Sequence, residues 1–138
     1  MLAESMRLFP PVWIIGRRAL EDVEIGGYTI LARAIVVLSP YVAHRDPRFW
    51  RDPESFQPGR WATAEAQTRP KFSYYPFGGG VRSCIGEGFA WMEGSLLLAT
   101  IGQRWRFRLA PGCRVEPLPR ITLRPRHGLR VLAEPRSR

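Results

Sequence analysis

Residues 77–90 read Phe-Gly-Gly-Gly-Val-Arg-Ser-Cys-Ile-Gly-Glu-Gly-Phe-Ala, a glycine-rich loop that delivers one cysteine to the start of a helix. Apolar residues recur at helical spacing from Ile85 onward, which predicts a helix that ends near Gly102. The free N–H groups and the positive dipole end at a helix start both stabilise a thiolate placed there. The pattern therefore indicates that Cys84 functions as a thiolate.

Four chemical roles compete for this loop. A phosphate-binding loop needs Lys followed by Ser or Thr after its last glycine, and a dinucleotide fingerprint needs glycine where Ser83 stands, so both fail. A nucleophilic cysteine would need a histidine base, and this alternative stays open through His44 and His127. The fourth alternative is a buried, unreactive cysteine with a purely structural role. The glycines around Cys84 and the nearby Arg82 favour instead a flat ligand close to the backbone and beside a positive charge.

At this point the sequence resembles a known family. The loop is similar to the heme-binding signature of the cytochromes P-450, FxxGxRxCxG, through Phe77, Gly80, Arg82, Cys84 and Gly86, followed by the family's Phe-Ala at Phe89 and Ala90. The family's ExxR mark is present as Glu4 and Arg7, and the arginine of its proline-containing loop is present as Arg60. Gly59 stands where the family usually has Glu. The marks occur in the family's order and cover nearly the whole chain.

The resemblance implies a cofactor, heme b (iron protoporphyrin IX), and a role for each signature residue. Cys84 would be the proximal thiolate ligand of the iron, and Phe77 would pack near the sulfur. Arg82 and Arg17 would pair with the heme propionates, with Arg18 as the alternative to Arg17. The cofactor-binding set would be completed by the signature glycines, Gly80 and Gly86.

The resemblance also implies two further groups of residues. Glu4, Arg7 and Arg60 would form a buried triad of ion pairs, whereas Glu4 and Arg7 alone would be an ordinary exposed pair on a helix. Apolar residues would edge the substrate cavity, with ordinary core as the alternative; they are Val12, Trp13, Ile14, Ile121 and, with a hydroxyl, Thr122. His44 is expected to be a hydrogen-bonded loop histidine.

The fold class that follows is α+β, mainly helical with small β hairpins. We expect a helix over residues 1–8, hairpins between residues 12 and 39, a long loop with helical turns over 40–76 and a strand at 105–109. Residues 121–123 and 129–132 are predicted to form a closing hairpin. By resemblance, residues 1–138 are the C-terminal heme-binding segment of a single cytochrome P-450 domain. The fold would then be incomplete, with the N-terminal two-thirds and the oxygen-activating helix absent.

Arginine dominates the charge of the chain. The formal net charge is +9, and Lys71 is the one lysine among 21 basic residues, which leaves 20 arginines. Their planar fork grips carboxylates and phosphates, so a basic nucleic-acid-binding module is an alternative function, although no recognised binding motif is present. The two cysteines lack paired spacing, which predicts a reduced, intracellular setting rather than a disulfide framework.

The function that the resemblance implies is a heme-thiolate monooxygenase. The parent enzyme would insert one oxygen atom from dioxygen into a small organic substrate, with electrons from a ferredoxin- or flavodoxin-like partner. It would involve no nucleic acid, and a bacterial cytoplasmic location with no membrane segment in this chain is expected. The family's oxygen-activating acid-alcohol motif has no match in the sequence, so no catalytic residue is assigned and the segment alone is expected to be inactive. A non-catalytic heme-binding protein is the other alternative.

Overall fold

The chain folds into short helices, one long helix and four two-stranded antiparallel sheets in a computed structural model that describes residues 1–136. The α-helices are α1 (Leu2–Leu8), α2 (Pro40–Ala43), α3 (Ala64–Thr68) and α4 (Glu87–Arg104), and 3₁₀ turns cover Pro58–Ala62 and Gly80–Arg82. The strands are β1 (Ile15–Arg18), β2 (Val23–Ile25), β3 (Tyr28–Ile30), β4 (Ile35–Leu38), β5 (Trp105–Leu109), β6 (Pro117–Pro119), β7 (Leu123–Pro125) and β8 (Val131–Pro135).

The first half of the chain follows the sequence prediction. Helix α1 ends before Pro10 and Pro11, which cannot continue a helix. Strands β2 and β3 form a tight hairpin around Gly26 and Gly27, and β1 pairs with β4 on either side of it. Both glycines have positive φ angles, +59° and +82°, which a residue with a Cβ adopts only with strain. The α+β class with small hairpins is confirmed.

The predicted closing hairpin is wrong. Strand β8 pairs with β5, from Trp105 opposite Pro135 to Leu109 opposite Val131, and β7 pairs with β6 instead. The turn around Gly128 is present, with φ at +69°. The strands on either side of it, β7 and β8, do not pair with each other. The longer register of β5 with β8 offers five residue pairs. Cross-strand pairs are the unit of sheet stabilisation, so this register outweighs a short local hairpin.

Helix α4 begins and ends two residues later than predicted, and it contacts α1 at one close point. A Cβ added at Gly94 would lie 2.6 Å from a methyl carbon of Leu2, so a larger residue there would displace the Leu2 side chain. Much of the remaining apolar surface of α4 is open to solvent: Phe89 is 62% exposed and Leu96 is 61% exposed. No helix within residues 1–136 is long and apolar enough to cross a membrane.

Candidate cofactor site

The Cys84 loop is a compact turn closed by its own backbone. The Cys84 N–H donates to the carbonyl of Phe77 at 3.0 Å, and the Cys84 carbonyl accepts from the N–H of Glu87, the first residue of α4, at 3.4 Å. Gly78 and Gly80 have φ angles of +75° and +69°, in the left-handed region that favours glycine. The loop therefore needs glycine at these positions, and it leaves the Cys84 thiol exposed.

The thiol opens into a cavity of about 350 Å³ that also contains the two predicted propionate partners. Arg17 and Arg82 line this cavity together with Phe77 and Cys84. The rest of the lining is mostly apolar, from Met6, Pro11, Val12, Ile15, Pro76 and Gly78. The structure thus places one thiol and two guanidinium groups around an apolar hollow.

The two glycines that were also predicted to bind the cofactor, Gly80 and Gly86, lie close to this cavity. Gly80 lines an adjoining cavity of about 450 Å³, which shares Arg17 and Gly78 with the first. A Cβ added at Gly86 would lie 3.7 Å from the Cys84 Sγ, an ordinary contact. Gly86 is therefore near the sulfur without being sterically required by it.

Strand alternation places Arg17 and Arg18 on opposite faces of β1. Successive side chains of a strand point to opposite faces, so residues 15 and 17 share a face and residue 18 lies on the other. Ile15 and Arg17 both line the cavity that contains Cys84, and Arg18 lines neither cavity. This placement favours Arg17.

An aromatic contact orients Phe77. Its ring meets the ring of Trp91 on α4 edge to face, with centroids 5.7 Å apart. The indole N–H of Trp91 lies 3.3 Å from a carboxylate oxygen of Glu87, one helical turn earlier. Helix α4 therefore fixes both the cysteine end of the loop and the phenylalanine at its start.

The predicted substrate-edge residues divide into one that lines the cavity and four that do not. Val12 lines it. The Trp13 indole N–H donates to the Arg120 carbonyl at 2.7 Å, which sets the segment around Trp13 beside the segment around Ile121. Ile14 is exposed, Ile121 is 96% exposed, and the Thr122 hydroxyl oxygen accepts from Arg124 at 3.0 Å.

Glu4, Arg7 and Arg60 come together as a buried network. Arg7 donates to both Glu4 carboxylate oxygens, through Nε at 3.0 Å and Nη2 at 2.9 Å. Arg60 Nε donates to Glu4 Oε1 at 3.1 Å. Glu4 and Arg7 are fully buried, so the alternative of an exposed helical pair is excluded. A Cβ at Gly59 would meet nothing within 4 Å, and Arg60 reaches Glu4 without the family's usual Glu.

Two further donors complete the coordination of Glu4. The Gln57 backbone N–H donates to Oε1 at 2.9 Å, and the Trp61 indole N–H donates to Oε2 at 2.9 Å. Burial alone would raise the pKa of Glu4, but the hydrogen bonds from Arg7, Gln57 and Trp61 lower the pKa to about 2. The carboxylate is therefore charged throughout the neutral range.

Sequence reasoning missed the aromatic side of this network. The indole of Trp50 is almost fully buried, with the Arg7 guanidinium 5.0 Å and the Arg69 guanidinium 3.9 Å from its ring centroid. The Tyr74 hydroxyl donates to the carbonyl of Ala3 at 3.1 Å. Only the position of Trp61, directly after Arg60, gave a local signal for this cluster.

His44 is a hydrogen-bonded loop histidine, as predicted, and the structure shows that it is also fully buried. Its Nε2 accepts the backbone N–H of Tyr75 at 2.9 Å, and its carbonyl accepts from Arg7 Nη1 at 2.8 Å. Desolvation lowers its pKa to about 4. His127 is partly exposed, with Nε2 3.4 Å from Glu116. Neither histidine lines the cavity of Cys84, which removes support for a cysteine nucleophile with a histidine base.

Comparison with known proteins agrees with this geometry. The profile of the family "Cytochrome P450" matches residues 1–131. Cyclooctatin synthase of Streptomyces melanosporofaciens is 43% identical over 136 residues, covering 99% of this chain and 29% of that protein. Putative cytochrome P450 132 of Mycobacterium tuberculosis is 46% identical over 135 residues, covering 98% and 29%.

Solved structures show the same relationship. The retinoic acid-bound cyanobacterial CYP120A1 superposes with a TM-score of 0.92 at 33% identity, covering 97% of this chain and 31% of that one. The fold is that of the heme-thiolate class. The chain belongs to the cytochrome P450 family, and it spans about 30% of the length of these relatives. The nucleic-acid alternative gains no support from these matches.

The family implies heme, and the residues of the cavity fit that group. A heme presents an iron that accepts a thiolate ligand, two carboxylates and a large apolar ring. The exposed Cys84 thiol suits the iron, and the guanidinium groups of Arg17 and Arg82 suit the carboxylates. Val12 and Phe77 contribute apolar surface that suits the ring.

Proposed function

We propose that this chain holds heme b through Cys84 as part of a monooxygenase that inserts one oxygen atom from dioxygen into a small organic substrate. The observation that carries the proposal is the exposed thiol that shares one apolar cavity with Arg17 and Arg82. Because the chain spans 29% of the length of cyclooctatin synthase, the activity is proposed for a whole enzyme of the family.

Four residues that line the Cys84 cavity have separate tasks in this proposal. When bound, heme supplies an iron at which dioxygen is activated. Cys84 holds that iron as a thiolate, stabilised by the N-terminus of α4. Arg17 and Arg82 hold the two propionates, and Phe77 covers the sulfur side. Residues 1–136 thus hold and orient the cofactor, and we assign none of them to the activation of dioxygen.

We propose the remaining parts of the function from the chain's charge and family. The net charge of +9 suits an acidic electron donor such as a ferredoxin- or flavodoxin-like protein. Val12 edges the substrate cavity, and Trp13, Ile14, Ile121 and Thr122 are proposed to lie farther along the same edge. A bacterial cytoplasmic location accords with the bacterial relatives.

The test uses the two cysteines as a matched pair. Wild type, Cys84→Ser and Cys113→Ser are each supplied with heme, reduced and exposed to carbon monoxide. Thiolate ligation gives a strongly red-shifted Soret band, which we expect in wild type and in Cys113→Ser and not in Cys84→Ser. Retention of the band in Cys84→Ser, or its loss only in Cys113→Ser, would refute the assignment.

A further inference from the structure

His44 lies between the buried charges and the Cys84 loop. It follows α2, its side chain is fully buried, and its ring packs against those of Trp50, Tyr74 and Tyr75 with centroid separations of 6.4, 5.0 and 5.3 Å. This histidine belongs neither to the cavity of Cys84 nor to the Glu4 carboxylate's own ligands. Its hydrogen bonds nevertheless reach the triad through Arg7 and the segment before the Cys84 loop through Tyr75.

One hydrogen bond leads from His44 to each region. The His44 carbonyl accepts from Arg7 Nη1 at 2.8 Å, which fixes the histidine to the buried triad. Its Nε2 accepts the backbone N–H of Tyr75 at 2.9 Å, which fixes the chain segment that enters the cysteine loop. Because Nε2 is an acceptor here, the ring must be neutral with its proton on Nδ1.

The Tyr75 hydrogen bond is followed directly by the bonds that shape the loop. The Tyr75 carbonyl accepts from Gly78 N–H at 3.0 Å, and two residues after Tyr75 the Phe77 carbonyl accepts from Cys84 N–H at 3.0 Å. A shift of the Tyr75 backbone would therefore move the turn that carries Phe77, and with it the hydrogen bond to Cys84.

We propose that His44 is a positioning residue for the Cys84 loop, whose Nε2 holds the Tyr75 N–H so that the loop keeps its shape and the thiol faces the cavity. The effect on the loop is a property of the chain itself. The consequence for heme ligation rests on the function proposed above.

The surroundings of His44 keep its acceptor available. The aromatic rings exclude water from the imidazole, and the charged groups near it are the guanidiniums of Arg7 on α1 and Arg45 beside α2. Burial and these positive charges disfavour an added proton, and the pKa of His44 is lowered to about 4. Protonation would place an N–H against the Tyr75 N–H, so the neutral ring is the form that holds the loop.

Two chemically matched substitutions separate the hydrogen bond from general packing. The amide oxygen of His44→Gln reaches about as far as Nε2, whereas that of His44→Asn, one methylene shorter, does not. Tyr74→Phe removes a neighbouring, partly buried hydrogen bond and leaves Tyr75 N–H untouched. Amide hydrogen exchange is measured in the heme-free chain, with α4 amides as the internal reference.

We expect His44→Asn to speed exchange at Tyr75 and Gly78 about tenfold relative to α4, the factor for a hydrogen bond worth about 1.4 kcal/mol. His44→Gln and Tyr74→Phe are expected to stay near the wild-type ratio. Equal exchange in His44→Asn and His44→Gln, or an unchanged ratio in His44→Asn, would overturn the inference.

The heme-loaded proteins then test the consequence for ligation. The thiolate share of the reduced carbon monoxide spectrum is expected to fall in His44→Asn and to recover in His44→Gln. If Cys84→Ser keeps the thiolate band while the exchange pattern holds, the proposed function fails and the role of His44 in the loop stands. If Cys84→Ser loses the band while Asn and Gln behave alike, the proposed function stands and this inference fails.

Discussion

The buried triad of Glu4, Arg7 and Arg60 and the helix α4, which begins beside the Cys84 loop, differ in what they bury. The triad buries charged groups, and α4 leaves apolar side chains exposed. Glu4 and Arg7 are completely buried, whereas Phe89 and Leu96 on α4 are more than half exposed. Buried charges are stable only with partners, and here every carboxylate oxygen of Glu4 has them within the chain. The exposed side chains of α4 gain no comparable burial within residues 1–136. The triad is therefore stabilised by contacts within the chain, whereas the apolar side chains of α4 remain exposed to solvent.

The strongest way to break this contrast is to remove the charge of Glu4. Glu4→Gln keeps the size of the side chain but leaves the guanidiniums of Arg7 and Arg60 buried without a counter-charge. We expect a loss of about 3 to 5 kcal/mol in the free energy of unfolding, measured by urea denaturation.

The control for Glu4 is an exposed ion pair on the same chain. Glu54 is 74% exposed and pairs with Arg45 at 3.1 Å. Glu54→Gln should cost roughly 0 to 1 kcal/mol, as is usual for surface pairs. Similar losses in the two variants would mean that the triad is not held by its charge.

Acid should lower the free energy of unfolding in two stages, one from His44 and one from Glu4. Unfolded His44 would bind a proton near its ordinary pKa of 6.5, while folded His44 stays neutral down to about 4. Its contribution is therefore complete above pH 6.5 and is lost as the pH falls towards 4. The corresponding values for Glu4 are 4.5 unfolded and about 2 folded, so its contribution is complete above pH 4.5 and is lost towards pH 2.

Each stage amounts to about 3 kcal/mol by linkage of the pKa difference to stability. The free energy of unfolding measured at intervals from pH 8 to pH 2 should fall first between pH 6.5 and 4. His44→Gln cannot titrate in this range and should lack the first fall while keeping the second. A first fall that persists in His44→Gln would assign it to another group.

Heme binding should depend on Arg17 and not on its neighbour Arg18. Arg17 lines the cavity of Cys84 and its neighbour Arg18 does not. A charge-assisted hydrogen bond is worth about 1.5 to 3 kcal/mol, so Arg17→Ala should weaken heme binding roughly 10- to 100-fold while Arg18→Ala leaves it unchanged. Titration of the heme-free chain with heme, followed by absorbance, measures both. Equal weakening by the two variants would point to overall charge instead of a defined contact.

Residue spacing within the loop was enough to predict that Cys84 stands at a helix start. The pairing of the last strand was predicted wrongly, because its partner lies far away in the sequence. The glycines around Cys84 act within the loop itself, so the sequence pattern was enough to indicate a helix-start thiol. The segment after Gly128 shows its β propensity but not its partner, which lies in β5. The contacts of Trp50 and Arg69 with the triad are likewise invisible locally, because they join segments that only the folded chain brings together.

The smallest expected effect distinguishes two arginines that face the same indole. Arg60 donates to Glu4 at 3.1 Å and to the Arg51 carbonyl at 2.8 Å, whereas the Nε of Arg69 is buried without a hydrogen-bond partner among residues 1–136. Arg69 instead stacks over Trp50 at 3.9 Å, a contact worth about 1 to 2 kcal/mol when desolvated.

Burial opposes that stacking, because it lowers the pKa of Arg69 and leaves one donor unsatisfied at about 1 to 3 kcal/mol. The two terms nearly cancel, so Arg69→Met should change the free energy of unfolding by less than about 1 kcal/mol, while Arg60→Met should cost about 3 to 5 kcal/mol. Urea denaturation of the two variants compares them directly. A large loss in Arg69→Met would show that stacking on Trp50 stabilises the chain by more than the unsatisfied Nε donor destabilises it.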